Sequence, residues 1–137
     1  MNTSSNLSRR SAVAATLLGL SGLALAQPAG QPIRVGSTLA LTGPLSATAQ
    51  IHKLAGEIYV EQANKRGGWL GRPIEWVVKD DQSKPDLART LYEQLVTADK
   101  VDLLMGPYAT GAILSAIGVA QRYNKVLVQH TLGIPSL

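Results

Sequence analysis

Cysteine is absent from this sequence of 137 residues. Without thiols the chain can form no disulfide framework, no thiolate metal site and no cysteine nucleophile. This absence fits an oxidising compartment, where exported proteins work. Histidine is also scarce: the two histidines, His52 and His130, are far apart and lack the spacing of metal ligands. We therefore expect no metal site from either residue type.

The sequence also lacks an apolar run long enough for a transmembrane helix, which needs about 20 apolar residues. The apolar stretch from Ala12 to Ala26 is shorter and is diluted by glycine and serine. It ends in Ala24-Leu25-Ala26, which has the small-x-small pattern that signal peptidase accepts. We predict that residues 1–26 are a signal peptide cleaved after Ala26, that residues 27–32 are a flexible leader, and that the product is exported.

The polar start of this signal contains Ser8-Arg9-Arg10, which fits half of a twin-arginine motif. The bulky apolar residue and the lysine that usually follow are absent. An ordinary charged start of a signal peptide explains the same residues. Both export routes, the general secretory route and the twin-arginine route, therefore stay open.

Basic residues show no clustering in the remainder of the chain. The signal holds two of the 13 basic residues and none of the nine acidic ones, so the mature chain carries a net charge of +2. No run of Lys and Arg interleaved with aromatic residues is present. We therefore expect no nucleic-acid partner.

From Ile33 onward, short apolar runs alternate with helical patterns. Such alternation predicts βαβ units with right-handed crossovers and a parallel sheet in an α/β fold. One domain at most fits this length. The predicted order β-α-β-α-β-α-β has strands at Ile33–Leu41, Ile74–Lys79, Val101–Met105 and Val126–Gln129, and helices at Ser46–Lys65, Pro85–Ala98 and Thr110–Tyr123.

Helical periodicity also predicts which helix faces are buried. In the first helix, apolar residues recur at the spacing of one face. The second helix shows the same spacing, and its inward residues are predicted to be Leu91, Leu95 and Ala98. The predicted inward residues of the first helix are Ile51, Leu54, Ala55, Ile58 and Tyr59.

The loops at the carboxyl ends of the strands, where open parallel sheets bind ligands, show no enzyme motif. Gly106 and Gly111 have the spacing of a phosphate-binding loop, but Ala112-Ile113 replace the required Lys and Ser/Thr. No dinucleotide-binding glycine motif follows the first strand. Asp80-Asp81 could bind a metal or accept a phosphoryl group, but no third ligand is evident, so a loop and helix cap is favoured. We expect neither enzyme activity nor a cofactor.

Hydroxyl groups remain as candidate ligand contacts: Thr42, Thr110 and Thr131 all lie in these loops. Thr110 begins a helix, where free N–H groups attract a carboxylate; the alternative is a simple helix N-cap. We expect His52 on the surface of a helix, whereas His130 lies in a strand-end loop and is a further candidate for ligand contact.

Four stretches of the sequence, in the same order, resemble the type I periplasmic solute-binding proteins, and more narrowly the leucine/isoleucine/valine-binding branch of ABC transporters. Together they span essentially all of the mature chain. They are Ile33-Arg34-Val35-Gly36 with Leu41-Thr42-Gly43-Pro44-Leu45, Asn64-Lys65-Arg66-Gly67-Gly68 with Leu70-Gly71-Arg72-Pro73, Val78-Lys79-Asp80-Asp81-Gln82, and Val101-Asp102-Leu103-Leu104-Met105-Gly106-Pro107.

The resemblance implies a Rossmann-like lobe, the first of two lobes that close on a small solute. It also implies that this lobe grips an amino-acid carboxylate with the hydroxyl of Thr110 and with backbone near Ala109, Thr131 and Gly133. Thr42 and Tyr108, in the loops after the first and third strands, are further candidate contacts. The implied partners are a small amino acid or amide and an ABC permease. The implied binding protein is a monomer located in the periplasm.

The sequence departs from this family in two places. The fourth-strand loop is His130-Thr131-Leu132-Gly133, where the family often has small residues and a threonine, so amides, urea or aromatic acids are also possible ligands. The chain ends near the first third of the family's length, so we expect residues 33–137 to be a truncated first lobe. A sensory ligand-binding domain is the alternative to transport.

Overall fold

The computed structural model describes residues 29–131, in which four strands alternate with three helices in the predicted order. The predictions for residues 1–28 and 132–137, including the signal peptide and Gly133, lie outside the described residues. The strands are β1 (Ile33–Leu39), β2 (Ile74–Asp80), β3 (Leu103–Met105) and β4 (Leu127–Val128), and the helices are α1 (Ser46–Lys65), α2 (Pro85–Thr97) and α3 (Thr110–Arg122).

The four strands form one parallel sheet in the order β2-β1-β3-β4. The predicted parallel α/β fold is therefore confirmed. Several strands are shorter than predicted because local hydrogen bonds end them. The N–H of Leu41 donates to the carbonyl of Leu39 at 2.9 Å, and this tight turn ends β1. The N–H of Val101 donates to the carbonyl of Leu95 in the last turn of α2, so Val101 is not part of β3.

Helices α2 and α3 cover one face of the sheet and form the main core with it. Leu95 is fully buried, as predicted, and Leu91 is half-buried, but Ala98 is exposed. The prediction for Ala98 was wrong because α2 ends at Thr97 and Ala98 lies beyond the packed face. The buried residues of this core are Tyr92, Leu95, Val96, Val101, Leu104, Ala116, Val119 and Ala120.

Helix α1 covers the opposite face, and it packs through its small residues. Ala49 and Ala63 are its buried positions, and Gly56 lies midway between them, so the three residues form a stripe seven residues apart. The predicted inward face was wrong. Its large side chains are exposed: Ile51 by 68%, Leu54 by 59%, Ile58 by 45% and Tyr59 by 51%. Ala55, also predicted to face inward, is exposed as well.

The close approach of α1 to the sheet depends on Gly56. A Cβ atom added there would lie 2.3 Å from the ring of Trp76, much closer than any normal contact. Since α1 is the single helix on this face among the described residues, an apolar groove of about 540 Å³ remains beside it, lined in part by Val35, Leu103 and Met105.

Replacing Gly56 with alanine should lower the free energy of unfolding by about 1–3 kcal/mol, because the added methyl group overpacks the contact with Trp76. Gly118 is the matched control: it lies in helix α3, and no atom would be within 4 Å of an added Cβ. Gly118→Ala should raise the stability by about 0.5–1 kcal/mol. Urea denaturation measures both, and a stabilising Gly56→Ala would contradict the packing of α1.

Hydrogen bonds hold residues 29–32, which precede β1, against the turn before β2. The N–H of Ala29 donates to the carbonyl of Gly71 at 2.8 Å, and the guanidinium of Arg72 donates to the carbonyls of Gln31 and Pro32. Residues 29–32 therefore run along the turn before β2. None of the helices between residues 29 and 131 is long and apolar enough to cross a membrane.

Candidate functional site

The order of the strands places a switch point between β1 and β3. The chain passes from β1 to β2 on one side, and then crosses back to β3 and β4 on the other. Ligands of open parallel sheets bind in the crevice at the carboxyl ends of the strands beside such a point. The loops that follow β1 and β3 flank this crevice, and they contain Thr42 and the segment 106–109.

Thr42 is exposed in the first of these loops, and its hydroxyl is already engaged. It donates to Oδ2 of Asp80 at 2.6 Å, and the N–H of Thr42 donates to Oδ1 at 3.1 Å. Asp80 also accepts the N–H of Gln82 at 2.9 Å. Burial raises the pKa of the Asp80 carboxyl, but these hydrogen bonds outweigh it and hold the pKa below its ordinary value. Thr42 and Asp80 thus join the loops after β1 and β2.

Asp81 has a different environment, since only 2% of it is exposed. Its carboxylate accepts hydrogen bonds from the Thr38 hydroxyl at 2.7 Å and from the N–H of Ser83 at 3.0 Å. Burial raises the pKa of the Asp81 carboxyl, and the neighbouring Asp80 raises it further, against these two hydrogen bonds. The acidic pair forms the predicted turn, but Lys84 is the N-cap of α2, which has no side-chain cap.

The two carboxyls should give stability opposite dependences on pH. Asp81 has a raised folded-state pKa, so its contribution is present below its unfolded pKa, near 3.8, and is lost as the pH rises through the folded value. Asp81→Asn should therefore gain stability relative to the wild type between pH 3.5 and pH 7. Asp80 has a lowered pKa, so Asp80→Asn should lose stability relative to the wild type over the same range. Urea denaturation at both pH values measures each sign, and two changes in the same direction would contradict these environments.

Thr110 is the first helical residue of α3, and it is exposed at the carboxyl edge of the sheet. The simple N-cap alternative is wrong, because Ala109 occupies the N-cap and no side chain among residues 29–131 caps this helix. The carbonyl of Ala109 accepts the N–H of Ile113 at 2.9 Å, while the first N–H groups of α3 point out of the helix end. The Thr110 hydroxyl and these N–H groups can converge on one carboxylate.

Thr131 follows β4 and ties its loop to the loop after β3. Its hydroxyl lies 3.0 Å from the carbonyl oxygen of Tyr108 and 3.3 Å from that of Pro107, and it donates to them. The side chain of Thr131 therefore holds the two loops together beside the start of α3. Its backbone remains the predicted ligand contact, and Gly133 lies outside the described residues.

Tyr108 lies against a residue that the sequence interpretation placed elsewhere. Its ring centroid is 5.1 Å from that of His52, which is half-buried rather than on the helix surface, and the His52 ring is 5.3 Å from that of His130. The position of His52 in the sequence could have indicated this, because it lies in the second turn of α1, close to the carboxyl edge of the sheet where that helix begins.

His130 is exposed beyond β4, and the His52 ring is its neighbour. Desolvation lowers the pKa of the His130 imidazole, and His52 lowers it further, whereas a hydrogen bond with the backbone of Gly106 raises it. Among residues 29–131, no group of three His, Cys, Asp or Glu side chains could hold a metal ion. The site therefore offers hydroxyl groups, helix N–H groups and aromatic rings.

Known proteins with similar sequences and structures bind small solutes. The chain is 36% identical over 111 residues to the chemotactic signal transduction system substrate-binding protein BasB of Halobacterium salinarum, and 28% identical over 118 residues to the Leu/Ile/Val-binding protein BraC3 of Rhizobium johnstonii. These matches cover 80% and 86% of this chain but 27% and 32% of the relatives, so the chain spans about a third of their length or less.

A solved structure agrees with these relatives. The structure of the branched-chain amino acid transporter substrate binding protein LivJ from Streptococcus pneumoniae, in complex with isoleucine, superposes with a TM-score of 0.74 at 27% identity. The match covers 77% of this chain and 30% of that one. The family model described as periplasmic binding protein matches residues 32–136. The chain therefore belongs to the periplasmic binding proteins, and it has the type I fold of that family.

Proposed function

We propose that this chain contains the first part of lobe one of an exported solute-binding protein, which delivers branched-chain amino acids or related small amino acids and amides to an ABC permease. Residues 33–137 form this part, and the protein acts as a monomer without enzyme activity. The relatives named for Leu/Ile/Val binding and for a branched-chain amino acid transporter support this ligand class.

The observation that carries the proposal is the environment of Thr110. Thr110 is exposed and does not cap α3, and it stands at the helix end, where the first N–H groups have no partner within the helix. A carboxylate gains both the partial positive charge of this end and a charge-assisted hydrogen bond. The backbone near Ala109 and Thr131 adjoins the same point, because the Thr131 hydroxyl holds its loop against the carbonyl of Tyr108.

Titration of the exported chain with leucine, followed by NMR, tests this proposal. The amide signals of Thr110 and Gly111 should shift. The amide signal of Thr97 should not, because Thr97 ends α2 on the side of the sheet away from the site. Weak affinity, about millimolar, is expected from one lobe, because the ligand is covered on one side only. Unchanged signals of Thr110 and Gly111 at saturating leucine concentrations would contradict the proposed carboxylate site.

A sensory role is the second candidate, because the relative BasB is named as part of a chemotactic signal transduction system. The same ligand contacts serve either role, so the site itself does not separate them. The neighbouring genes do. Genes for a permease and an ATPase favour transport, whereas a gene for a signal transducer favours sensing.

Export predicts a defined N-terminus for the mature protein. Signal peptidase should cut between Ala26 and Gln27, because Ala24 and Ala26 provide the small side chains that its pocket accepts, directly after the apolar run. The intact mass of the product recovered from the periplasm measures this. A product that retains residues 1–26 would contradict both the cleavage site and the proposed location.

A further inference from the structure

Three aromatic side chains from separate parts of the chain meet at the carboxyl edge of the sheet. His52 comes from α1, Tyr108 from the loop after β3, and His130 from the residue pair that follows β4. The His52 ring is close to both of the others: the ring centroids are 5.1 Å apart for Tyr108, with a tilt of 36°, and 5.3 Å apart for His130, with a tilt of 40°. We call these residues the aromatic cluster.

The hydrogen bonding of His52 is incomplete. Its Nδ1 atom is buried and has no partner among residues 29–131. A buried acceptor without a partner is tolerated better than a buried N–H without one, so the ring proton belongs on Nε2. Nε2–H is then a donor, and unlike Nδ1 it is not among the buried atoms of residues 29–131 that lack a partner, so solvent or a ligand can reach it.

The aromatic cluster is placed where a bound ligand can reach it. His52 and His130 both line the end of the apolar groove beside α1, at the edge of the sheet. Tyr108 is two residues before Thr110, so the cluster adjoins the helix end at which the carboxylate is proposed to bind. A ligand held there by its carboxylate can therefore extend its side chain towards the three rings.

We propose that the aromatic cluster receives the side chain of the ligand and selects an amino acid whose side chain is a ring bearing an oxygen atom, as in tyrosine. The proposal rests on one part of the proposed function, the carboxylate site at Thr110, and it replaces the branched-chain side chain proposed for the ligand with an aromatic one. A flat ring packs against the faces and edges of Tyr108 and His130 in the tilted arrangements that aromatic rings prefer. An oxygen on that ring accepts the Nε2–H of His52, which an aliphatic side chain would leave without a partner.

The affinities of three amino acids test this selection. Leucine, phenylalanine and tyrosine share the same carboxylate and ammonium groups and differ only in the side chain. The chain contains only two histidines, so the imidazole C–H signals of a histidine-labelled sample give two sets of resonances. Tyrosine should shift the His52 signals and bind about fivefold or more tightly than leucine, with phenylalanine between them. The measurement uses the exported chain and NMR titration, which detects weak binding.

His52→Phe separates selection from packing, because phenylalanine keeps a ring but has no N–H donor. The variant should bind tyrosine and phenylalanine equally well and should still shift the amide of Thr110. Leu54→Ala is the control: it lies on the same helix with 59% of its side chain exposed, and it should leave the preference unchanged.

The outcomes distinguish this proposal from the proposed function. If leucine shifts the Thr110 amide and binds as tightly as tyrosine, the selection by the aromatic cluster is wrong and the carboxylate site stands. An unchanged tyrosine preference in His52→Phe likewise overturns the role of His52. If none of the three amino acids shifts the amides of Thr110 and Gly111, both proposals fail.

Discussion

Thr110→Ala is expected to weaken amino-acid binding by about 1.5–3 kcal/mol, or about 10- to 150-fold, in the exported protein together with any part encoded after Leu137. The lost interaction is a hydrogen bond to a charged carboxylate, which is stronger than one between neutral groups. Thr110 is exposed and does not cap α3, so removal of its hydroxyl should change the free energy of unfolding little. Calorimetric titration measures the affinity.

Thr110→Ser is the matched control for this prediction. Serine keeps the hydroxyl at the first position of α3, so its affinity should stay close to that of the wild type. The opposite pattern would contradict the assigned role: an alanine variant with unchanged affinity but stability lowered by about 1 kcal/mol would behave as a helix cap. The structure already argues against that pattern, because Ala109 is the N-cap.

The order and type of the elements could be predicted from the sequence because each depends on local patterns. Continuous apolar runs such as Leu103–Met105 suit strands that are covered on both faces, and glycine or proline marks the breaks between elements. The strand ends could not be predicted, because they depend on partners. β3 pairs with β1 over three residues only, from Leu103 to Met105.

The packing of α1 shows where periodicity alone is insufficient. Large apolar residues at helical spacing predicted the buried face, but the stripe of Ala49, Gly56 and Ala63 lies against the sheet. Small side chains allow close approach of the helix backbone, here onto the Trp76 ring, and this contact depends on a strand distant in sequence. Tyr59, which is 51% exposed, lines the apolar groove, and the two together form a surface suited to further packing.

The candidate site divides in the same way. Thr110 and Thr131 could be predicted because strand-end loops of a parallel sheet share one edge, whatever the details of packing. His52 could not, because its position beside Tyr108 depends on how far along α1 the helix crosses that edge. Nor could the sequence show that the Thr42 hydroxyl donates to Asp80, since the two residues are 38 positions apart.

Tyr92→Ala should have the largest effect on stability, a loss of about 3–5 kcal/mol in the free energy of unfolding, typical of a buried aromatic side chain replaced by alanine. Tyr92 is fully buried on α2 and packs in the main core. Its hydroxyl donates to the carbonyl of Met105 at 2.6 Å and accepts the N–H of Thr38 at 3.3 Å, so it joins β1 and β3 beneath the candidate crevice.

Tyr92→Phe separates the hydrogen bonds from the packing. Phenylalanine keeps the ring but removes the hydroxyl that bonds Met105 and Thr38, which should cost about 1–3 kcal/mol. Burial raises the pKa of the Tyr92 phenol well above its ordinary value, so the hydroxyl keeps its proton at neutral pH, and this cost should be constant between pH 6 and pH 9. Urea denaturation across that range measures it. A phenylalanine variant as stable as the wild type would mean that the hydroxyl does not link the two strands, and that the crevice between β1 and β3 is held by ring packing alone.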